Sequence, residues 1–175
     1  MNRIFKEPKL AIFWTVVRLW LGYQWLQAGL GKISNPAWTG DKAGAAITGF
    51  LNNSLSLAAG DHPAVQSWYA AFIEHLALPN AKILTYLVAF GEFAVGLGLI
   101  VGCLTTFALL GGAFMNLNFM LAGTTSTNPI LYTVAILLLV AGPNAYRYGV
   151  DYFLPDIVAK LKDLIDKGKV GEVQP

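Results

Sequence analysis

Residues 83–146, ILTYLVAFGEFAVGLGLIVGCLTTFALLGGAFMNLNFMLAGTTSTNPILYTVAILLLVAGPNAY, hold one charged side chain, Glu92, in 64 positions. Elements built from such a stretch have no charged face to offer water, so lipid or other apolar helices must solvate them. Charged residues make up 13% of the 175-residue chain, against about 25% in ordinary soluble domains. This pattern excludes a soluble enzyme, a disordered protein, a disulfide scaffold and a nucleic-acid-binding module. The net charge of +2 comes from clusters near the two ends, Arg3/Lys6/Lys9 and Lys160/Lys162/Lys167/Lys169, which suit anionic lipid headgroups better than nucleic acid. The single cysteine, Cys103, cannot form an intramolecular disulfide, an iron–sulfur site or a haem attachment. Any redox cofactor is therefore non-covalent or belongs to a partner.

Working outward, the composition predicts an all-α integral membrane four-helix bundle over residues 1–154, followed by an amphipathic cytoplasmic tail over 155–175. The spans fall at about 10–31, 83–102, 104–122 and 129–148. The first follows a basic start, as a secretory signal would. Arg18 interrupts its apolar run and no small-x-small cleavage site follows cleanly, which favours a retained helix. The Asn128-Pro129 pair is a helix-start signal for the fourth span. Its apolar run reaches only Gly142-Pro143, roughly 20 Å at 1.5 Å per residue, so the helix either continues past a kink to Tyr148 or thins the lipid locally. Lysines and arginines at both ends place the termini in the cytoplasm. That leaves 33–81 as a long outer loop, in which Val65, Trp68, Tyr69, Phe72, Ile73 and Leu76 recur at helical spacing and predict an amphipathic helix.

Arg18 and Glu92 are the candidate catalytic residues. Measured from helix ends taken as level, Arg18 lies roughly 12 Å and Glu92 roughly 15 Å from the cytoplasmic surface. A charge near the bilayer centre costs about 2.5–3.5 kcal/mol on insertion scales and needs a partner or a wet cavity. The two are therefore expected to face one another, either as a register-fixing pair or as part of a proton or substrate path. Trp14, Trp25 and Gln24 on the first helix and Asn116 on the third are the candidate ligand contacts. A flat aromatic and an amide donor beside a cation and a carboxylate suit a planar ligand with carbonyl oxygens, such as a quinone, whose two-electron reduction takes up two protons that Glu92 could relay. Taken singly, tryptophan and amide side chains also serve packing and interhelical hydrogen bonds. His62 and His75, thirteen residues apart without a supporting carboxylate motif, do not predict a metal site.

Three segments resemble the DoxX/DoxD family of small membrane proteins: Arg18-Leu-Trp-Leu-Gly22 with Trp25-Leu-Gln-Ala-Gly29-Leu-Gly31-Lys32, then Gly91-Glu92-Phe-Ala-Val-Gly96-Leu-Gly98-Leu-Ile-Val-Gly102, then Ala141-Gly142-Pro143-Asn144-Ala-Tyr146-Arg147-Tyr148-Gly149-Val-Asp151. The resemblance spans about Leu10 to Leu154. It implies a multi-pass protein of the prokaryotic cytoplasmic membrane. In the DoxD branch it implies a subunit of thiosulfate:quinone oxidoreductase, which moves electrons from thiosulfate into the quinone pool. No DoxA-like companion domain is fused here, so that partner would be a separate chain.

The leading expectation is thus a membrane subunit of a quinone-linked sulfur or thiol oxidoreductase. Two others stand beside it: a non-catalytic scaffold that docks a soluble redox partner, and a small proton-coupled transporter. Arg18, the long loop and the lack of a clear inverted repeat weigh against the last. Gly98/Gly102 and Gly111-Gly112 suit close helix packing and weakly favour a homo-oligomer.

Overall fold

The computed structural model describes residue 5 and residues 7–171. Arg3 and Lys6 of the N-terminal basic cluster lie outside the described residues, as do the side chains of Lys160, Lys167 and Lys169. All regular structure among the described residues is helical. After a short turn at Pro8–Leu10 come α1 (Ala11–Ile33), α2 (Ala45–Ser56) and α3 (Ser67–Phe72), which runs on as a π turn through Ile73–Ala77. Then follow α4 (Ala81–Val101), α5 (Thr105–Leu121), α6 (Asn128–Ala141), α7 (Pro143–Tyr146) and α8 (Val150–Gly171).

The four apolar runs become α1, α4, α5 and α6, with bounds close to those expected. Among the described residues, α4 alone qualifies as a membrane span by length and composition, α5 and α6 being shorter apolar helices. The exteriors of these helices display large apolar side chains, among them Phe13, Leu87, Phe90, Phe107, Phe114 and Ile130, with Phe107 72% exposed. Arg18, Glu92 and Asn116 are buried instead. An apolar outside around an interior that also holds an arginine, a glutamate and an asparagine departs from the arrangement of a water-soluble domain.

Among the described residues α1 and α4 share the most extensive helix pairing, and glycine makes its close approach possible. A Cβ on Gly29 would stand 2.7 Å from Cα of Phe93, and one on Gly96 would stand 2.6 Å from Cα of Leu26. Backbone rather than a movable side chain meets the intruding atom, so the helices themselves must separate. Gly96→Ala is expected to destabilise the bundle by about 1–3 kcal/mol, the range for overpacking, seen as a lowered unfolding temperature of detergent-purified protein. Gly31→Ala, where a Cβ would meet nothing within 4 Å, is the matched control with no loss.

These contacts also fix the register. Gly22 lies against Leu99 and Ile100, Leu26 against Gly96, and Gly29 against Glu92 and Phe93, so α1 and α4 are antiparallel. Arg18 is level with Gly102, at the end of α4. The N-terminal two turns of α1 therefore overhang α4. The overhang is covered by α7, packed on α1, and by the N-terminal turn, where Trp14 stacks on Phe5 at 5.6 Å. Buried Asn144 donates to the carbonyls of Phe5 and Glu7.

Three expectations are corrected. The fourth span does not continue to Tyr148, because the helix stops at Gly142, whose φ of 55° and ψ of −124° break the hydrogen-bonded path and return α7 onto α1. The final helix begins at Val150, with Pro155 inside it, five residues before the expected tail. The segment 33–81 holds two helical parts, not one. The expected amphipathic helix is α3 with its π turn, and α2 is additional. Ile47, Leu51, Val65, Tyr69 and Ile73 form a second apolar core there, beside Ala81 and Ala122. This loop subdomain sits on one end of the helices, opposite the end that carries α7.

Candidate functional site

At the loop end, a cavity of about 400 Å³ lies among α1, α2, α4, α5 and the start of α6. α1 contributes Gln24, Trp25, Ala28 and Lys32, α4 contributes Val88 and Glu92, and α5 contributes Asn116 and Phe119. Trp38, Ile47 and Phe50 close it from the loop subdomain, and Thr124, Ser126, Thr127, Asn128 and Leu131 close it from the α5–α6 turn.

The register of α1 on α4 decides the electrostatics. Glu92 is level with Gly29, one helical turn from Lys32 on α1. The lysine Nζ donates to Oε2 of Glu92 at 2.6 Å. The Glu92 side chain is 2% exposed and that of Lys32 21%, so the pair is buried on its acidic side and open on its basic side. Lys32 also stands over the Trp38 ring, 5.0 Å from its centre, a cation–π distance. Trp38 is held there by its carbonyl, which accepts from the hydroxyl of wholly buried Thr85 at 2.9 Å. The segment after α1 is thereby tied to α4, with Thr39 Oγ1 donating back to the Ile33 carbonyl.

The same cavity is bordered by residues whose polar atoms the protein leaves unpaired. Asn116 is 0% exposed, and neither its amide nitrogen nor its amide oxygen has a hydrogen-bond partner. The Trp25 indole N–H is likewise buried and unpartnered, its ring lying over Gly112. A buried amide left unpaired costs about 1–3 kcal/mol per group, and native structures pair the great majority of such groups. Asn116 and Trp25 thus bring two unpaired donor groups and one unpaired acceptor to the border of the cavity. The aromatic rings of Trp38, Phe50 and Phe119 supply flat apolar walls.

The structure gathers four of the six sequence candidates, Glu92, Trp25, Gln24 and Asn116, around this cavity. It does not bring Arg18 and Glu92 together. They stand at levels eleven α1 residues apart, roughly 16 Å along the axis. Arg18, 1% exposed, donates from Nη1 to the Leu99 carbonyl and from Nη2 to the Tyr148 carbonyl at 3.2 Å. Trp14 belongs to the same far end, in the apolar core with Ala141 and Ala145. The expected charge pair assumed level helix ends, whereas α1 overhangs. Lys32, a charged cavity residue, is absent from the sequence candidates. The available signal was its place in the Gly29-Leu-Gly31-Lys32 run, one turn beyond the glycine that packs on Glu92.

Among the described residues there is no group of three or more His, Cys, Asp or Glu side chains that could hold a metal ion. Cys103 is a free, half-buried thiol beside the end of α4. Comparison with curated proteins and with solved structures gave no match. The DoxX family model matches residues 13–125, more than half of the chain, from the first turn of α1 through α5 and including Lys32, Glu92 and Asn116. The apolar exterior and the family match agree, and the chain belongs to the DoxX family of membrane proteins.

Proposed function

We propose that the protein is the membrane subunit of a quinone-linked sulfur or thiol oxidoreductase of the thiosulfate:quinone type, with the quinone ring bound in the loop-end cavity. In this reading α1, α4, α5 and α6 cross the cytoplasmic membrane of a prokaryote, with both termini inside. One observation carries the proposal: Asn116, wholly buried at the border of a ring-lined chamber, has an amide donor and an amide acceptor that nothing in the protein satisfies. A quinone takes up two electrons and two protons and exchanges carbonyl acceptors for hydroxyl donors. Asn116 matches both forms, its Nδ2 donating to a carbonyl and its Oδ1 accepting from a hydroxyl. Trp25 Nε1 is a donor only, so it orients the carbonyl form. Lys32, bonded to Glu92 and open on its other side, connects the buried carboxylate to the cavity and provides the proton route. The electrons come from the sulfur substrate or from a separate redox subunit, such as a DoxA-like chain. Arg18 and Trp14, at the far end, take no part in the chemistry.

Asn116→Leu tests the assignment. Removing two unpaired polar atoms in favour of an apolar side chain of similar size is expected to leave stability unchanged or raise it by about 1 kcal/mol. Binding of a benzoquinone, followed by quenching of tryptophan fluorescence, is expected to fall about tenfold or more, as for a lost bond in a desolvated site. Unchanged binding in a folded Asn116→Leu protein would overturn the assignment. Mass analysis of lipid-soluble molecules that co-purify with the wild-type chain supplies a second readout, and a quinone among them is the expected result.

A further inference from the structure

Beside the polar cavity lies a second one of about 260 Å³, between the loop subdomain and helices α4 and α5. Its chemistry is different. Leu51, Ala77, Leu84 and Met115 line it without bordering the first chamber. Its polar groups are already committed: the Tyr69 hydroxyl, placed 3.1 Å from both the backbone oxygen and Oδ1 of Asn118, and the Asn118 amide nitrogen, which donates to the Phe114 carbonyl. An apolar space whose polar groups are satisfied stays dry and accepts hydrocarbon.

The two cavities adjoin. Phe50 and Phe119 border both, as do Ile47 and Val88. The two rings meet edge to face, 6.2 Å between centres and 86° between planes, so a pair of aromatic side chains stands at the boundary between the two spaces. On its far side the apolar cavity reaches Leu87, 62% exposed, and Phe114, 67% exposed, on the apolar exterior.

From this continuity we infer that the two cavities form one site for an amphiphile, whose polar ring occupies the chamber of Asn116 and Lys32 while its hydrocarbon tail passes the Phe50–Phe119 pair and leaves through the apolar cavity toward the bilayer. The inference rests on the ring assignment above and extends it to the class of molecule admitted: a quinone bearing a lipid tail in preference to a tailless ring. Tail burial adds affinity in proportion to the methylenes covered. The site therefore loads from within the membrane, and the loop subdomain, whose α2 supplies Ile47 and Phe50, forms part of its wall.

The test compares two probes on full-length protein in lipid nanodiscs: a benzoquinone carrying a decyl tail and the same ring without it. The tailed probe is expected to bind the wild type at least about tenfold more tightly after correction for its partition into lipid. Ala77→Leu and Leu84→Trp, each filling the apolar cavity away from the polar one, are expected to remove that advantage while the tailless ring binds as before. Retained tailless binding reports an intact fold, and two variants are used so that one that misfolds leaves the other to decide. An unchanged tail advantage in a folded variant overturns the inference. Equal wild-type affinities for the two probes also overturn it, since the tail then gains nothing from the apolar cavity. If neither probe binds the wild type, the ring assignment itself fails and the tail path fails with it. That outcome is distinct from the case in which the ring binds and the tail adds nothing.

Discussion

Replacing Lys32 with methionine is expected to lower the stability of the protein by about 3 kcal/mol, read as a fall of roughly 6–12 °C in unfolding temperature for a chain of this size. The reason is the asymmetry of the pair. Glu92 has almost no exposure and receives its single side-chain hydrogen bond from Lys32 at 2.6 Å. Without the ammonium its carboxylate is buried uncompensated, or it must take up a proton to remain there. The opposite change, Glu92→Gln, is expected to cost less than half as much. It leaves the lysine, which is 21% exposed and can turn into the cavity. Lys32→Met combined with Glu92→Gln should recover much of the single-variant loss, since a broken ion pair costs more than an absent one. Activity separates the residues differently: Glu92→Gln is expected to abolish quinone reduction in a folded, membrane-inserted protein, because the route then lacks its carboxylate. If Lys32→Met is as stable as the wild type, the pair contributes nothing and Glu92 has another partner. If Glu92→Gln turns over normally, the carboxylate is no relay.

Which features the sequence discloses, and which it hides, follows from the range of the interactions concerned. The long apolar runs predict α1, α4, α5 and most of α6, because the lack of charge over 83–146 and the turn signals at Gly102 and Asn128-Pro129 are local properties. The helix α2 escapes notice because Ala45–Ser56 has Gly49 inside it and Asn52, Asn53 and Ser54 in succession, weak helix formers that mask its apolar positions. Asn116 is legible as an amide that needs a partner within an apolar helix. The partner of Glu92 is not legible. It depends on how far α1 slides along α4, and that is set by backbone contact at Gly22, Gly29 and Gly96. These glycines are visible as small residues, but their mates on the other helix are not. A shift of about two turns exchanges one basic residue for another. It moves the ion pair of Glu92 from the terminal end of the helices to the loop end, beside the loop subdomain.

The same shift gives Arg18 a different task, and its replacement is the second large effect expected. Arg18→Met should cost about 3–6 kcal/mol, since two charge-assisted hydrogen bonds at about 1.5–3 kcal/mol each are lost in a buried site. One bond is to the Leu99 carbonyl in the last turn of α4, where carbonyls lack helical donors and a cation is favoured. The other reaches the Tyr148 carbonyl in the turn between α7 and α8. Asp151 attracts the same guanidinium while accepting at 2.7 Å from the backbone N–H groups of Leu104 and Thr105, which open α5. Its own N–H donates to the Gly102 carbonyl at 2.8 Å. Arg18 and Asp151 together thus complete the end of α4, the start of α5 and the start of α8, so losing the arginine loosens three helix ends at once. Arg18→Lys keeps the charge but not the fork that spans two carbonyls, and it is expected to fall between wild type and Arg18→Met in unfolding temperature. Because this junction lies roughly 16 Å from Glu92 along the helix axis, a folded Arg18→Lys protein should bind benzoquinone with wild-type affinity. Retained stability with lost binding would reverse the assignment and place the guanidinium at the reacting ligand; lost stability with retained binding is the result the geometry requires.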